Sequence, residues 1–144
     1  SIRRQRQMCI RDRYQLRVRS TDMDADGIVN NARYFEFFEQ ARLEHLAALE
    51  VVKRPRPPGA PSRSFTLAET TCRYRAPLRH RDEVVVRAWT SEVRTRSFLL
   101  AYDIVRADGS VAAEGSSAQV WLDADGKPAE LPPEVRAALE GSRE

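Results

Sequence analysis

Two cysteines and two histidines leave this chain without the residues for a disulfide framework or a zinc centre. Cys9 and Cys72 stand far apart, and neither has a metal-ligand spacing around it. Only His45 and His80 are available as imidazole ligands, which excludes the usual zinc sets. We therefore expect neither metal nor cofactor. No apolar run reaches the length of a signal peptide or a membrane span, so we expect a cytoplasmic protein with no membrane partner. At 144 residues the chain makes one domain, large enough to bury a core without cross-links.

Positive charge is scarcer than its total suggests. Arg3, Arg4, Arg6, Arg11 and Arg13 against Asp12 contribute +4, and without them the formal +3 becomes −1. This opening run has no apolar periodicity and resembles translated sequencing-adapter DNA. We assign residues 1–12 to a basic extension outside the fold and residues 13–144 to a single domain. No basic helix or stripe of stacking aromatics stands behind the extension, so nucleic-acid binding is not expected.

Alternation of apolar and polar residues predicts a first strand over Tyr14–Ser20. A helix follows, from Asn31 or Ala32 to about Glu50. Arg33, Glu36, Gln40 and Glu44 form its narrow polar stripe, while Tyr34, Phe35, Phe38, Leu46 and Leu49 spread over the other side. Glu39 and Arg42 stand at a spacing that lets side chains meet, and we expect a buried ion pair between them. The proline-rich segment 53–64 is expected to be an extended loop shaping a pocket. Four strands should follow, over Ser64–Arg75, Asp82–Val93, Thr95–Val105 and Val111–Asp123. The Asp108-Gly109 turn makes the last two antiparallel neighbours. A short helix begins at Pro132-Pro133. The order β-α-β-β-β-β defines an α+β fold, a five-stranded antiparallel sheet wrapped around one long helix. Its exposed edges and uncovered face predict a homodimer, or dimers paired into a homotetramer.

The densest chemistry lies in Thr21–Arg42. Asp22, Asp24, Asp26 and Gly27 match the first half of a calcium loop, but position 12 of that loop falls on Arg33, where calcium needs a bidentate Glu. The segment before it is a strand where an EF-hand has a helix. The physical alternative is a carboxylate beside a helix N-terminus, where unpaired backbone N–H groups and the helix dipole favour developing negative charge. Asp22 and Asp26 fit turn and cap roles. Asp24 is the candidate for chemistry.

The run Asp22-Met-Asp24-Ala-Asp26-Gly27-Ile28-Val29-Asn30-Asn31-Ala32-Arg33-Tyr34, then Glu39-Gln-Ala-Arg42, resembles the hotdog-fold acyl-CoA thioesterases of the 4-hydroxybenzoyl-CoA thioesterase type. The resemblance continues through Cys72-Arg-Tyr74-Arg-Ala-Pro77-Leu78, Asp82-Glu-Val84-Val-Val86, Arg96-Ser97-Phe98 and Trp121-Leu122-Asp123. It implies thioester hydrolysis on an acyl-CoA or an acyl-carrier protein, with Asp24 as nucleophile or general base. The backbone N–H that polarises the thioester carbonyl would belong to Asn31. It further implies substrate contacts from Gly27, Ile28, Val29 and Tyr34. Glu69 lies on the strand that approaches the partner's site in hotdog folds. It is first a solvent-facing residue and second a substrate contact. Arg94 and Arg96, just before Ser97, carry the guanidinium chemistry that suits the phosphates of coenzyme A.

Two departures stand out. Ile28 occupies a place where many relatives carry His, which excludes an imidazole mechanism there. Arg81 precedes Asp82 where the family often has Gly, and it is either a surface residue or a phosphate contact. His45 is read as structural and Cys72 as a strand-core thiol. The other function classes are a non-catalytic acyl-CoA-binding module and a hotdog dehydratase. The latter is disfavoured because neither histidine falls in the turn.

Overall fold

The computed structural model describes residues 12–52, 58 and 64–143. The extension 1–11, and the proline-rich loop apart from Pro58, lie outside the described residues. Asp12, assigned from sequence to the extension, instead opens the first strand and pairs with Ala88.

Five strands form one antiparallel sheet: β1 (Asp12–Arg17), β2 (Phe65–Tyr74), β3 (Glu83–Val93), β4 (Ser97–Arg106) and β5 (Val111–Trp121). Their spatial order is β1-β3-β4-β5-β2. Helix α1 (Arg33–Ala48) lies across one face, and α2 (Pro133–Gly141) closes the far end. This is the expected α+β architecture, and β4 and β5 are neighbours as the Asp108-Gly109 turn requires. β1 ends earlier than expected. Ser20–Asp22 forms a single 3₁₀ turn instead, because the Asp22 side chain takes the Arg19 backbone N–H out of the ladder.

Alternation puts Val84, Val86, Ala88, Phe98, Leu100, Tyr102 and Ile104 on the face toward α1. They meet Tyr34, Phe37, Phe38, Ala41 and Leu46 from the helix. Register shifts at Leu67/Glu69, Thr90/Glu92 and Ile104/Val105 mark bulges that bend the sheet around the helix. Gly115 marks the closest approach, since a β-carbon there would overlap the Phe38 ring and lie 2.8 Å from the Thr71 carbonyl oxygen.

Arg42 does not pair with Glu39. The glutamate is exposed, whereas Arg42 is buried and donates to the Tyr102 hydroxyl at 3.4 Å. Three residues along a helix is a meeting distance only when both side chains share a face, and here the carboxylate stays in water. Tyr102, Ser117 and Gln119 continue the buried chain of hydrogen bonds. His45 is structural: its Nε2 lies 3.1 Å from the Thr90 hydroxyl, which meets Ser142 at 2.7 Å and so ties α1, β3 and the end of α2 together.

The helix ends in a Schellman motif, with Glu50 N–H donating to Ala47 and Val51 N–H to Leu46. Glu50 occupies the left-handed position of that motif at φ 60°, where glycine is at ease. Glu50→Gly should therefore raise stability by about 0.5–1 kcal/mol. Gly115→Ala should lower it by about 1–3 kcal/mol through overpacking against Phe38. Urea unfolding of the two variants checks both signs.

Candidate active site

The segment between β1 and α1 doubles back on itself. Met23 and Val29 form an isolated antiparallel bridge, and Asp24 N–H donates to the Ile28 carbonyl at 2.8 Å. Gly27, at φ 80°, makes the reversal. Val29 is buried, and its N–H donates to the Leu78 carbonyl at 2.8 Å, which fastens the turn to the β2–β3 connection.

Asp24 sits half-buried in this turn. Its Oδ1 accepts from Asp26 N–H at 2.8 Å and Ile28 N–H at 3.4 Å. Its Oδ2 accepts no hydrogen bond among the described residues. One oxygen thus holds the turn, and the other takes no part in holding it.

Asn30 caps the helix entry. Its side-chain oxygen accepts from Ala32 N–H at 3.0 Å and its carbonyl from Arg33 N–H at 2.9 Å, while its own N–H donates to the Asp22 carbonyl at 2.9 Å. A trans peptide sets C=O and N–H antiparallel. Because the Asn30 carbonyl turns back onto the helix, the Asn31 N–H points out of the helix end. It has no acceptor among the described residues. Asn31 is exposed, and its carbonyl accepts from the Tyr74 hydroxyl at 2.8 Å. In the sequence Tyr74 stands within the matching motif Cys72–Leu78 with no role of its own. An edge-strand tyrosine shows no contact partner until the register is known.

Asp22 is a buried anchor, deeper than a turn residue need be. Its carboxylate accepts from Arg19 N–H at 2.9 Å, Nε at 3.3 Å and Nη2 at 3.0 Å. Burial alone pushes a carboxyl up, but the Arg19 hydrogen bonds and charge outweigh it and hold Asp22 below the usual 3.8. Asp26 is exposed.

The remaining sequence-derived residues divide into two groups. Gly27 and Ile28 lie in the turn with Asp24, while Val29 and Tyr34 are buried beneath it. Tyr34 packs edge-on against Tyr74 with centroids 4.9 Å apart, and burial pushes its phenol upward while the Leu78 backbone pulls it partly back. The second group is not brought to the turn within one chain. The 94–97 turn lies at the far end of β3, roughly 33 Å of strand from Glu83. Arg94 is engaged there by Glu92 at 3.1 and 3.2 Å, Arg96 is exposed, and Ser97 begins β4. Glu69 is exposed on the outer strand β2, in register with Ala118. Arg81 holds a left-handed backbone at φ 72°, which explains why glycine suits that place. Cys72 is half-buried against the core, and burial raises its thiol pKa. Among the described residues no group of three His, Cys, Asp or Glu side chains could hold a metal ion, and no helix is long and apolar enough to cross a membrane.

Residues 5–139 match the family model of the thioesterase-like superfamily, and the chain belongs to that superfamily. It is 28% identical over 130 residues to the acyl-acyl carrier protein thioesterase ATL3 of Arabidopsis thaliana, covering 85% of this chain and 64% of that protein. It therefore spans just under two thirds of that relative's length. Against the acyl-CoA thioester hydrolase YbgC of Escherichia coli it is 29% identical, covering 87% of this chain and 92% of the relative. The structure of a Thermus thermophilus thioesterase complexed with coenzyme A and zinc superposes with a TM-score of 0.77 at 28% identity, covering 90% and 92% of the two chains. The sheet and helix are those of the hotdog fold.

The Asp22 anchor gives a pH-dependent expectation. Its folded pKa is depressed, so its contribution is complete above 3.8 and is lost as pH falls through the lower folded value. Asp22→Asn should lower stability at neutral pH by about 1–3 kcal/mol. It should also flatten the acid limb below the usual carboxylate value of 3.8. Thermal melts across that range, compared with the parent, check the sign.

Proposed function

We propose that this chain hydrolyses the thioester of an acyl-CoA, or of an acyl group on a carrier protein, to the free acid and the thiol. The mechanism is of the 4-hydroxybenzoyl-CoA thioesterase type. One observation carries the reading: an open carboxylate oxygen on Asp24 in the turn that leads into a helix whose Asn31 N–H points outward without an acceptor. The names of ATL3 and YbgC and the coenzyme A complex of the Thermus relative support this substrate class.

The thioester carbonyl oxygen accepts the Asn31 N–H, with the helix dipole behind it. As a general base, Asp24 takes a proton from water while hydroxide adds to the carbonyl carbon. Negative charge passes to the carbonyl oxygen, where one preorganised donor lowers the barrier by about 3–4 kcal/mol. Collapse expels the thiolate, which takes the proton back from Asp24. As a nucleophile, Asp24 adds to the same carbon and expels the thiolate, and water then cleaves the mixed anhydride. Both routes need the same two groups. A dehydratase reading has no support here, since His45 is buried on Thr90 and His80 is exposed on the β2–β3 connection.

We further propose that the working unit is a homodimer, or a homotetramer made of two. The edge strand β2 leaves Leu67 43% and Tyr74 41% exposed, and a second copy is the natural cover for such an edge. A second copy is also the means by which Glu69, Arg94, Arg96 and Ser97 would reach a substrate held at Asp24. Sedimentation should find no fully active monomer at micromolar concentration.

Asp24→Asn tests the site. The amide keeps the shape and the turn hydrogen bonds but is neither base nor nucleophile, so thiol release should fall by roughly a thousandfold or more with an unchanged melting temperature. Asp26→Asn is the control and should retain activity. Added calcium should change nothing, because Arg33 stands where the missing bidentate ligand would be. Near-parental hydrolysis by Asp24→Asn would point to another carboxylate such as Glu69, whereas a parent that binds acyl-CoA without releasing thiol would favour the binding module.

A further inference from the structure

We infer that Tyr74 is a positioning residue for this reaction: its hydroxyl holds the Asn31 carbonyl, and through it the direction of the Asn31 N–H that meets the thioester oxygen. The inference rests on the Asp24–Asn31 reading above. Three observations carry it.

Asn31 lies between two peptide units. The unit before it, which contains its N–H, is fixed by Arg33 N–H donating to the Asn30 carbonyl at 2.9 Å. The unit after it is fixed by the Tyr74 hydroxyl at 2.8 Å. With both neighbours held, the φ and ψ of Asn31 cannot drift. An N–H that must meet a developing oxyanion gains from such preorganisation, since no reorientation is needed as charge appears. Without Tyr74 the second unit keeps the bond from Ala32 N–H to the Asn30 side-chain oxygen but loses the one that holds its carbonyl end.

The ring, like the hydroxyl, has a partner at the helix end. Tyr74 stands T-shaped against Tyr34, and Tyr34 is buried in the first turn of α1. The ring therefore rests on the same helix whose end it orients. Its route to Asn31 is also independent of the Val29–Leu78 bond, so the turn is fastened at two points.

The donor persists across the working range. Burial, then the neighbouring Cys72 thiol, push the Tyr74 phenol up to about 12. The hydroxyl thus stays protonated well above neutral pH. Its donation to the Asn31 carbonyl is therefore available at every working pH.

Tyr74→Phe keeps the ring on Tyr34 and removes only the donor. Turnover, kcat, should fall by roughly tenfold to a hundredfold, the range expected when a reacting group loses alignment. KM should change by less than about twofold and the Tm by no more than about 3 °C. In the protein without substrate, the amide resonances of Asn31 and Ala32 should shift, a readout that does not depend on activity. Difluorotyrosine at position 74 restores the donor. It should restore kcat at neutral pH and lose it again as pH rises through its lowered phenol pKa. Unchanged kcat and unchanged amides in Tyr74→Phe would overturn the inference. So would a joint collapse of kcat, KM and Tm, which would mark Tyr74 as a fastening of β2 only. Asp24→Asn measured in parallel separates the two claims. If Asp24→Asn is inactive while Tyr74→Phe is fully active, only the role of Tyr74 falls. If Asp24→Asn remains active, the site reading falls and the role of Tyr74 with it.

Discussion

The hydrogen bond from Val29 N–H to the Leu78 carbonyl is the constraint on which the site depends. Leu78 is fully buried, so the bond forms away from water and anchors the turn to the connection between β2 and β3. Once Val29 is fixed, the bridge to Met23 fixes Asp24 on one side, and Asn30 fixes the helix entry on the other. The candidate carboxylate and an outward backbone N–H then come from a stretch of eight residues. The same stretch explains why an Asp-rich turn need not be a metal loop. Asp22 is spent on Arg19, Asp24 divides its oxygens between the turn and the open side, and Asp26 faces solvent.

The core carries more polar chemistry than its apolar pattern suggests. Arg42, Tyr102, Ser117 and Gln119 form one buried chain, while His45, Thr90 and Ser142 form a second. Among the described residues the Gln119 side-chain oxygen has no hydrogen-bond partner. Such groups add little net stability compared with apolar packing. Their geometric demand is strict, because each must meet its partner at one register of helix on sheet. The first chain sets α1 against β4 and β5, and the second sets it against β3 and α2. Between them they fix how far the helix can slide, and hence where its N-terminus sits relative to Leu78.

Much of this was legible in the residues. Alternation in β3 and β4 and the Asp108-Gly109 turn specified strands and pairing, because both signals are local. The long aromatic helix was legible for the same reason, although Phe37 joined its buried face and the wheel had not singled it out. The family likeness, rather than any local pattern, pointed to Asp24 and Asn31. Long-range contacts were not legible. Glu39 and Arg42 looked like partners from spacing, yet the partner of Arg42 is Tyr102, sixty residues away in sequence. Tyr74 was visible only as a motif letter, since its bond to Asn31 spans 43 residues and depends on the register of an edge strand. Asp22 looked like a surface turn residue because nothing local reveals that Arg19 folds over it.

The most direct measurement is a crystal structure with a non-hydrolysable acyl-CoA analogue that keeps the carbonyl and replaces the labile thioester sulfur. The account places the carbonyl oxygen about 3 Å from the Asn31 nitrogen. It places a carboxylate oxygen of Asp24 about 3–3.5 Å from the carbonyl carbon, directly or through one water. A carbonyl bound elsewhere, with the Asn31 N–H turned to solvent or to another acceptor, would contradict it.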